Sequence, residues 1–237
     1  MDERIEEIQK IKSRIGFMTK NYLASKDQFF PYWRYRVARP LLKLKYKNFR
    51  RKGDLPWLSP TSIEFFKGYL NDSHVGCEFG SGASTMFFAK MVKHFVSIEH
   101  YRPWFESVQE KLTLNNVLNV DYLFVEKQEP TSTVSGAEMF PDVKGIESYD
   151  YRKDFINYFS ALDSYDDESF DFIIVDGRAR PECVFASLSK LKPNGLMILD
   201  NSERDRYNIV FDNLSHWEMI ETTNGLTNTT FWVKPRK

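Results

Sequence analysis

One stretch, His74 to Lys90, restricts what this chain can fold into more than any other. It reads HVGCEFGSGASTMFFAK: a short apolar run closing on Glu78, a glycine turn Gly80-Ser81-Gly82, then Ser84, Thr85 and a helix-like run. This is the sequence form of a strand, a tight turn and a helix N-terminus. Glycine has no Cβ, so such a turn exposes backbone N–H groups and lets a ligand approach the chain closely. A second strand-like run, HFVSIE, ends in Glu99, 19 residues beyond Gly80. A carboxylate at about 20 residues from the turn suits the two hydroxyls of a ribose. The spacing predicts a nucleoside-binding βαβ unit.

The pattern departs from a dinucleotide fingerprint at two places. Position 85 is Thr where G-x-G-x-x-G needs its third glycine. Glu78, two residues before the turn, would oppose a pyrophosphate but suits a ligand with an ammonium and a sulfonium. The plain alternative is a glycine turn in an unrelated α/β protein.

Further along, hydrophobic periodicity predicts a regular alternation. Residues 1 to about 52 read as helical, with breaks near Phe30-Pro31 and Arg39-Pro40. A helix over 61–70 has Ser59 or Thr61 as its cap. Strand 74–79, helix 83–93, strand 95–99, helix 103–114 and strand 119–125 follow. The polar segment 127–150 reads as a loop over the site, followed by a helix at about 151–163. Next come strand 170–176, helix 181–191, strand 195–200 and helix 204–214. The end, WEMIETTNGLTNTTFWVKP, alternates in two runs about a glycine and predicts an antiparallel hairpin. Five strand–helix alternations predict a doubly wound, mostly parallel α/β sheet.

In such sheets ligands bind at the carboxyl ends of the strands. One apolar strand ends in Asp176, followed by Gly177-Arg178-Ala179-Arg180. The next ends in Asp200-Asn201-Ser202-Glu203-Arg204. A carboxylate buried alone is costly, so each must reach solvent or a partner. Asp176, Asp200 and Asn201 supply three hard oxygen donors, a chemistry suited to Mg²⁺. Without a metal, Asp176 is a general base and Asp200-Asn201 a helix cap. Trp57, Trp104, Tyr151 and Tyr207 are candidates for pocket walls, with core or surface positions as the plain alternative.

E-F-G-S-G-A-S-T resembles the first motif of the class I S-adenosylmethionine-dependent methyltransferases. VDGRARPEC, LDNSER, PWLSP and Glu99-His100 fit the same pattern, and the resemblance covers about residues 55 to 235. It implies a seven-stranded sheet with the terminal hairpin inserted antiparallel, and S-adenosylmethionine as methyl donor. It implies a cofactor site of Glu78, Gly80, Ser81, Gly82, Ser84, Thr85, Glu99, His100 and Asp176. Asp176 with Asp200-Asn201 also looks like the metal site of catechol-type O-methyltransferases. That family has a lysine shortly after the first Asp, where this chain has Arg178 and Arg180. Arginine stays protonated and is a poor base. Asp176 and Arg178 are the candidate catalytic residues, and methylation of a sugar, glycan or other hydroxyl is the expected reaction. The rivals are an NAD-type oxidoreductase, disfavoured by Thr85 and Glu78, and a non-catalytic nucleoside-binding module.

The length of 237 residues suits one α/β domain, 55–237, with a helical basic extension, 1–54. The net charge of zero favours no nucleic-acid partner. Cys77 and Cys183 form no zinc spacing or disulfide framework, which favours a reducing compartment. No apolar run has membrane-spanning length, and the charged start has no signal-peptide core, so a cytoplasmic location is expected. Between Tyr32 and Lys52, however, nine bases stand without an acid, interleaved with Trp33, Leu41, Leu44 and other large apolar residues. Such a segment suits an anionic membrane surface or a phosphate-rich polymer. The alternative is a helix packed on the domain with its bases in solvent.

Overall fold

The structure, a computed structural model, describes residues 29–50, 55–223 and 226–236. The helical readings for 1–28 and 51–54 lie outside the described residues. Helix α1 (Phe29–Arg50) has Pro31 in its first turn and runs unbroken through Pro40. The expected break at Pro40 is absent. Pro40 is exposed, so the carbonyl its ring leaves unpaired can bond to water. Helix α2 (Pro60–Tyr69) is capped by Ser59, whose Oγ accepts the Ser62 N–H at 3.0 Å.

The main domain then alternates as its periodicity predicts. Strand β1 (Val75–Phe79) leads to α3 (Ala83–Ala89), β2 (His94–Glu99), α4 (Arg102–Leu114) and β3 (Val120–Phe124). The segment read as a loop over the site is largely irregular and exposed, but it is anchored on the core. It contains a helical turn, α5 (Gly136–Met139), and a 3-10 turn, Ile146–Ser148, and its Phe140 and Ile146 are buried. Only its end, Tyr149 and Asp150, reaches the cleft. The helix expected at 151–163 is a 3-10 turn, Lys153–Phe155, followed by α6 (Ile156–Phe159). Strand β4 (Phe170–Val175), α7 (Arg180–Ser187) and β5 (Leu191–Asp200) follow. Then come a 3-10 turn, Asp205–Tyr207, and α8 (Asn208–Asn213). The hairpin is β6 (Glu218–Thr223) and β7 (Asn228–Val233).

The sheet order is β3-β2-β1-β4-β5-β7-β6. The first five of these are mutually parallel, and β7 runs antiparallel between β5 and β6. Alternate residues feed two cores. Cys77, Phe79, Ile173, Val175, Met197, Leu199 and Trp232 serve one. Phe95, Phe172, Ile174, Leu196, Ile198 and Phe231 serve the other, against Phe65, Phe66 and Phe88 from the helices. With both faces covered, β4 and the second half of β5 are near-continuous apolar runs. Polar groups collect at the carboxyl ends of β1 and β4, where the winding reverses.

Candidate functional site

The end of β1 and the end of β4 meet backbone to backbone. Gly80 has φ +100°, and a Cβ there would lie 2.6 Å from the Gly177 nitrogen. A Cβ on Gly177 would fall 2.2 Å from the Tyr158 hydroxyl. No side chain fits at either place, so the turn stays open on its outer side.

Thr85, which replaces the third glycine of a dinucleotide motif, has a structural task. Its hydroxyl accepts the Gly82 N–H at 3.0 Å and donates to Glu78 Oε1. Ser97 Oγ donates to the same oxygen at 2.7 Å. Glu78 is therefore held beneath the turn, 1% exposed. Burial pushes its carboxyl up to about 7, against the hydroxyls of Thr85, Ser84 and Ser97. Its Oε2 is buried with no hydrogen-bond partner among the described residues. A proton or a cationic ligand group would relieve that cost.

Glu99 closes β2 among donors. Its Oε2 accepts the Ser81 N–H at 3.1 Å and the Ser81 hydroxyl at 3.0 Å. Its Oε1 accepts the N–H groups of His100 and Tyr101, at 2.8 and 2.9 Å. Burial raises its pKa, but hydrogen bonds from the His100 ring and those two amides outweigh burial and hold it low. The Ser81 hydroxyl also lies 2.7 Å from the Tyr122 hydroxyl, so it can rotate away and free Oε2 for an incoming hydroxyl. The Trp104 indole donates to Ser81 O at 2.7 Å. With Trp57 it walls a small recess containing Gly82, Ser84 and Asp176. Both tryptophans are exposed, so neither is core. Tyr151 is core, its hydroxyl bonded to Val134 O.

Asp176 lines both this recess and a larger cleft of about 830 Å³. That cleft also contains Gly80, Glu99, His100, Arg178 and Tyr207. Past the two strand ends, Ala179 and Asn201 have left-handed backbone, φ +47° and +49°. Such strain in residues with a Cβ clusters at functional sites.

The expected metal position is already filled. Arg180, 7% exposed, bonds Asp176 Oδ1 at 2.9 Å, Gly177 O at 3.0 Å and the Asp200 carbonyl, and reaches Asn201 Oδ1 at 3.5 Å. Asp200 Oδ1 accepts from Thr229 at 2.7 Å. Burial and the neighbouring Asp176 charge push its carboxyl well up. Burial raises Asp176 too, against the attraction of Arg180. A fixed guanidinium bonded to Asp176 and reaching Asn201 repels a second cation. Asp176, Asp200 and Asn201 therefore do not fit a divalent ion as they stand. They do not cap a helix either: the next turn starts from Arg204. Among the described residues no group of three or more His, Cys, Asp or Glu is arranged to hold a metal.

Residues the sequence reading missed are Arg152, Glu182, Arg204 and Arg206, all lining the cleft. The bases Arg204 and Arg206 beside Tyr207, just past a strand end, were the available signal.

No family model and no curated protein sequence matches the chain. Its structure is similar to that of a methyltransferase-like protein from Silicibacter pomeroyi. That pair has 22% identity and a TM-score of 0.54, over 77% of this chain and 89% of that one. It is also similar to an rRNA methylase from Streptococcus thermophilus. There the identity is 13% and the TM-score 0.51, over 74% of this chain and 95% of that one. Strand order, antiparallel β7 and a glycine turn at the switch point agree with those likenesses: the chain has the class I S-adenosylmethionine-dependent methyltransferase fold.

Proposed function

We propose that the chain is an S-adenosylmethionine-dependent methyltransferase that acts on a hydroxyl, with a sugar or glycan as acceptor. One observation carries the reading: Asp176 stands between the recess beside the glycine turn and the larger cleft. When bound, S-adenosylmethionine supplies a methyl group made electrophilic by its sulfonium.

Gly80 and Gly82 leave room for close backbone approach. Glu99 takes the ribose hydroxyls, and Glu78 provides negative charge under the methionine portion. His100 and Trp104 wall the adenine side. Asp176 accepts the acceptor's proton as its oxygen is methylated, and the raised pKa improves it as a base. Arg180 holds the Asp176 carboxylate in one orientation through the 2.9 Å bond. Calorimetry with S-adenosylhomocysteine tests this. Wild type binds, and Glu99→Ala weakens binding by about 1–3 kcal/mol. Absence of binding, or equal affinity in the variant, rejects it.

A second observation bears on where the acceptor is met. On α1, Trp33, Val37, Leu41 and Leu44 are exposed, between 54% and 74%. Their spacing of four, four and three puts them on one helix face. Elsewhere on α1, Tyr46 bonds Trp57 O at 2.6 Å, and Phe49 packs on the core. Exposed Lys43, Lys45 and Lys47 accompany the apolar stripe. This supports α1 lying on an anionic membrane surface. No helix among the described residues is long and apolar enough to cross a membrane.

A further inference from the structure

We infer that the acceptor carries an anionic group, a phosphate or a carboxylate, gripped by Arg178, Arg204 and Arg206. The inference rests on reading the cleft as the acceptor site.

Five arginines line this cleft, and they divide into two kinds. Arg180 is paired with Asp176, and Arg152 is paired through Nε and one terminal nitrogen with Asp154, both at 2.8 Å. Their charges are spent. The remaining three form no ion pair with a carboxylate among the described residues; Arg204 acts on Asp176 only at longer range, after Arg180. Arg204 donates to the amide oxygen of Asn201 at 2.9 Å. Arg206 donates to the Tyr207 hydroxyl at 3.0 Å and lies over that ring, 5.0 Å from its centre. Among the described residues the Arg178 side chain makes no hydrogen bond or ion pair.

Neutral partners fix Arg204 and Arg206 without cancelling them. That is how a planar guanidinium is prepared for an oxyanion, which it binds through parallel hydrogen bonds. The acids on the same walls do not offset them. Glu99 is enclosed by its own donors, and Asp176 by Arg180. Glu182 is buried, accepts the Arg152 N–H at 2.7 Å, and burial raises its pKa, which favours the neutral form. Asp150 is at the exposed rim. A neutral hydroxyl compound would leave three cations of the cleft unmatched. An anion beside the reacting hydroxyl matches them and fixes the hydroxyl near Asp176.

The test is calorimetric titration of inorganic phosphate and of malonate into the full chain saturated with S-adenosylhomocysteine, with glucose as the neutral reference. At least one anion is expected to saturate while glucose does not, and the binding falls as salt rises. Stronger binding of phosphate points to a phosphoester acceptor, and stronger binding of malonate to a carboxylate. Arg204→Gln and Arg206→Gln each weaken the anion about tenfold, with melting temperature and S-adenosylhomocysteine affinity held. No saturable binding of either anion, or unchanged affinity in both variants, overturns the inference. If the anions bind but S-adenosylhomocysteine does not, the methyltransferase reading falls and the anion site stands.

Discussion

Gly80 and Gly177 abut through their backbones, and neither leaves room for a side chain. A Cβ on the first would strike the second, and a Cβ on the second would strike Tyr158. The contact joins the ends of β1 and β4, the two strands between which the winding reverses. It therefore sets how closely the two strand ends approach at the wall of the cleft.

Gly177→Ala is expected to destabilise the fold by about 1–3 kcal/mol, the range for overpacking a filled site. The collision is with an oxygen, so adding Tyr158→Phe to the same chain restores most of the loss. Urea unfolding of the two single variants and the double variant measures this. Equal stability of Gly177→Ala and wild type would remove the steric argument.

Asp176→Asn keeps an acceptor for Arg180, so its melting temperature stays within a few degrees of wild type. Its turnover, once an acceptor is in hand, drops at least about 100-fold, the scale of general-base loss. Chelation by EDTA leaves wild-type turnover within about twofold. A large loss on chelation that Mg²⁺ restores would contradict the role given to Arg180.

The pH dependence follows from Glu78. Its folded pKa, about 7, exceeds the ordinary 4.5, so between those values the folded chain holds a proton that the unfolded chain has released. Stability contributed in this way is complete below pH 4.5 and is lost as pH rises through 7. The gap is worth roughly 3 kcal/mol at full effect. The stability difference between wild type and Glu78→Gln should slope downward between pH 5 and 7, as read by chemical denaturation at each pH. A flat difference would mean that Glu78 is ionised throughout. A cationic ligand draws a carboxylate toward its charged form, so binding below pH 7 should also release a proton, detectable in buffers of different ionisation heat.

Wild type should sediment with vesicles containing acidic lipid and release as salt rises. Each base near such a surface is worth roughly 1 kcal/mol. Replacing Leu41 and Leu44 with Gln, or Lys43, Lys45 and Lys47 with Gln, weakens sedimentation and leaves cofactor affinity unchanged. Association of the chain with itself through the stripe, seen as a concentration-dependent mass in solution, would assign that face to a second copy instead.

The strand–turn–helix at Gly80, the carboxylates closing β2, β4 and β5, and the terminal hairpin were legible because each rests on local pattern. Other features depended on distant partners. Thr85 looked like a defect in a glycine motif, and only the position of Glu78 across the turn explains its hydroxyl. Asp176 and Asp200 suggested a metal because the sequence shows donors but not what stands between them. Arg180, four residues after Asp176, folds back to fill that place, a spacing that was visible but has many other outcomes. Pro40 was overweighted, since an exposed helix tolerates a missing hydrogen bond that a buried one would not. The segment 127–150 was read from its polarity, whereas Phe140 and Ile146 decided its path.

The position of β7 has a consequence for how the molecule comes together. It is the last strand in chain order, yet it lies between β5 and β6, and its Thr229 supplies the bond to Asp200. During synthesis the edge of β5 must wait, unpaired and apolar, until residues 228–233 arrive. The carboxyl end of β5 is therefore completed late, by a strand that contributes little to the cleft itself. A ribosome-bound chain can hold the glycine turn well before it holds Asp200 in its final surroundings.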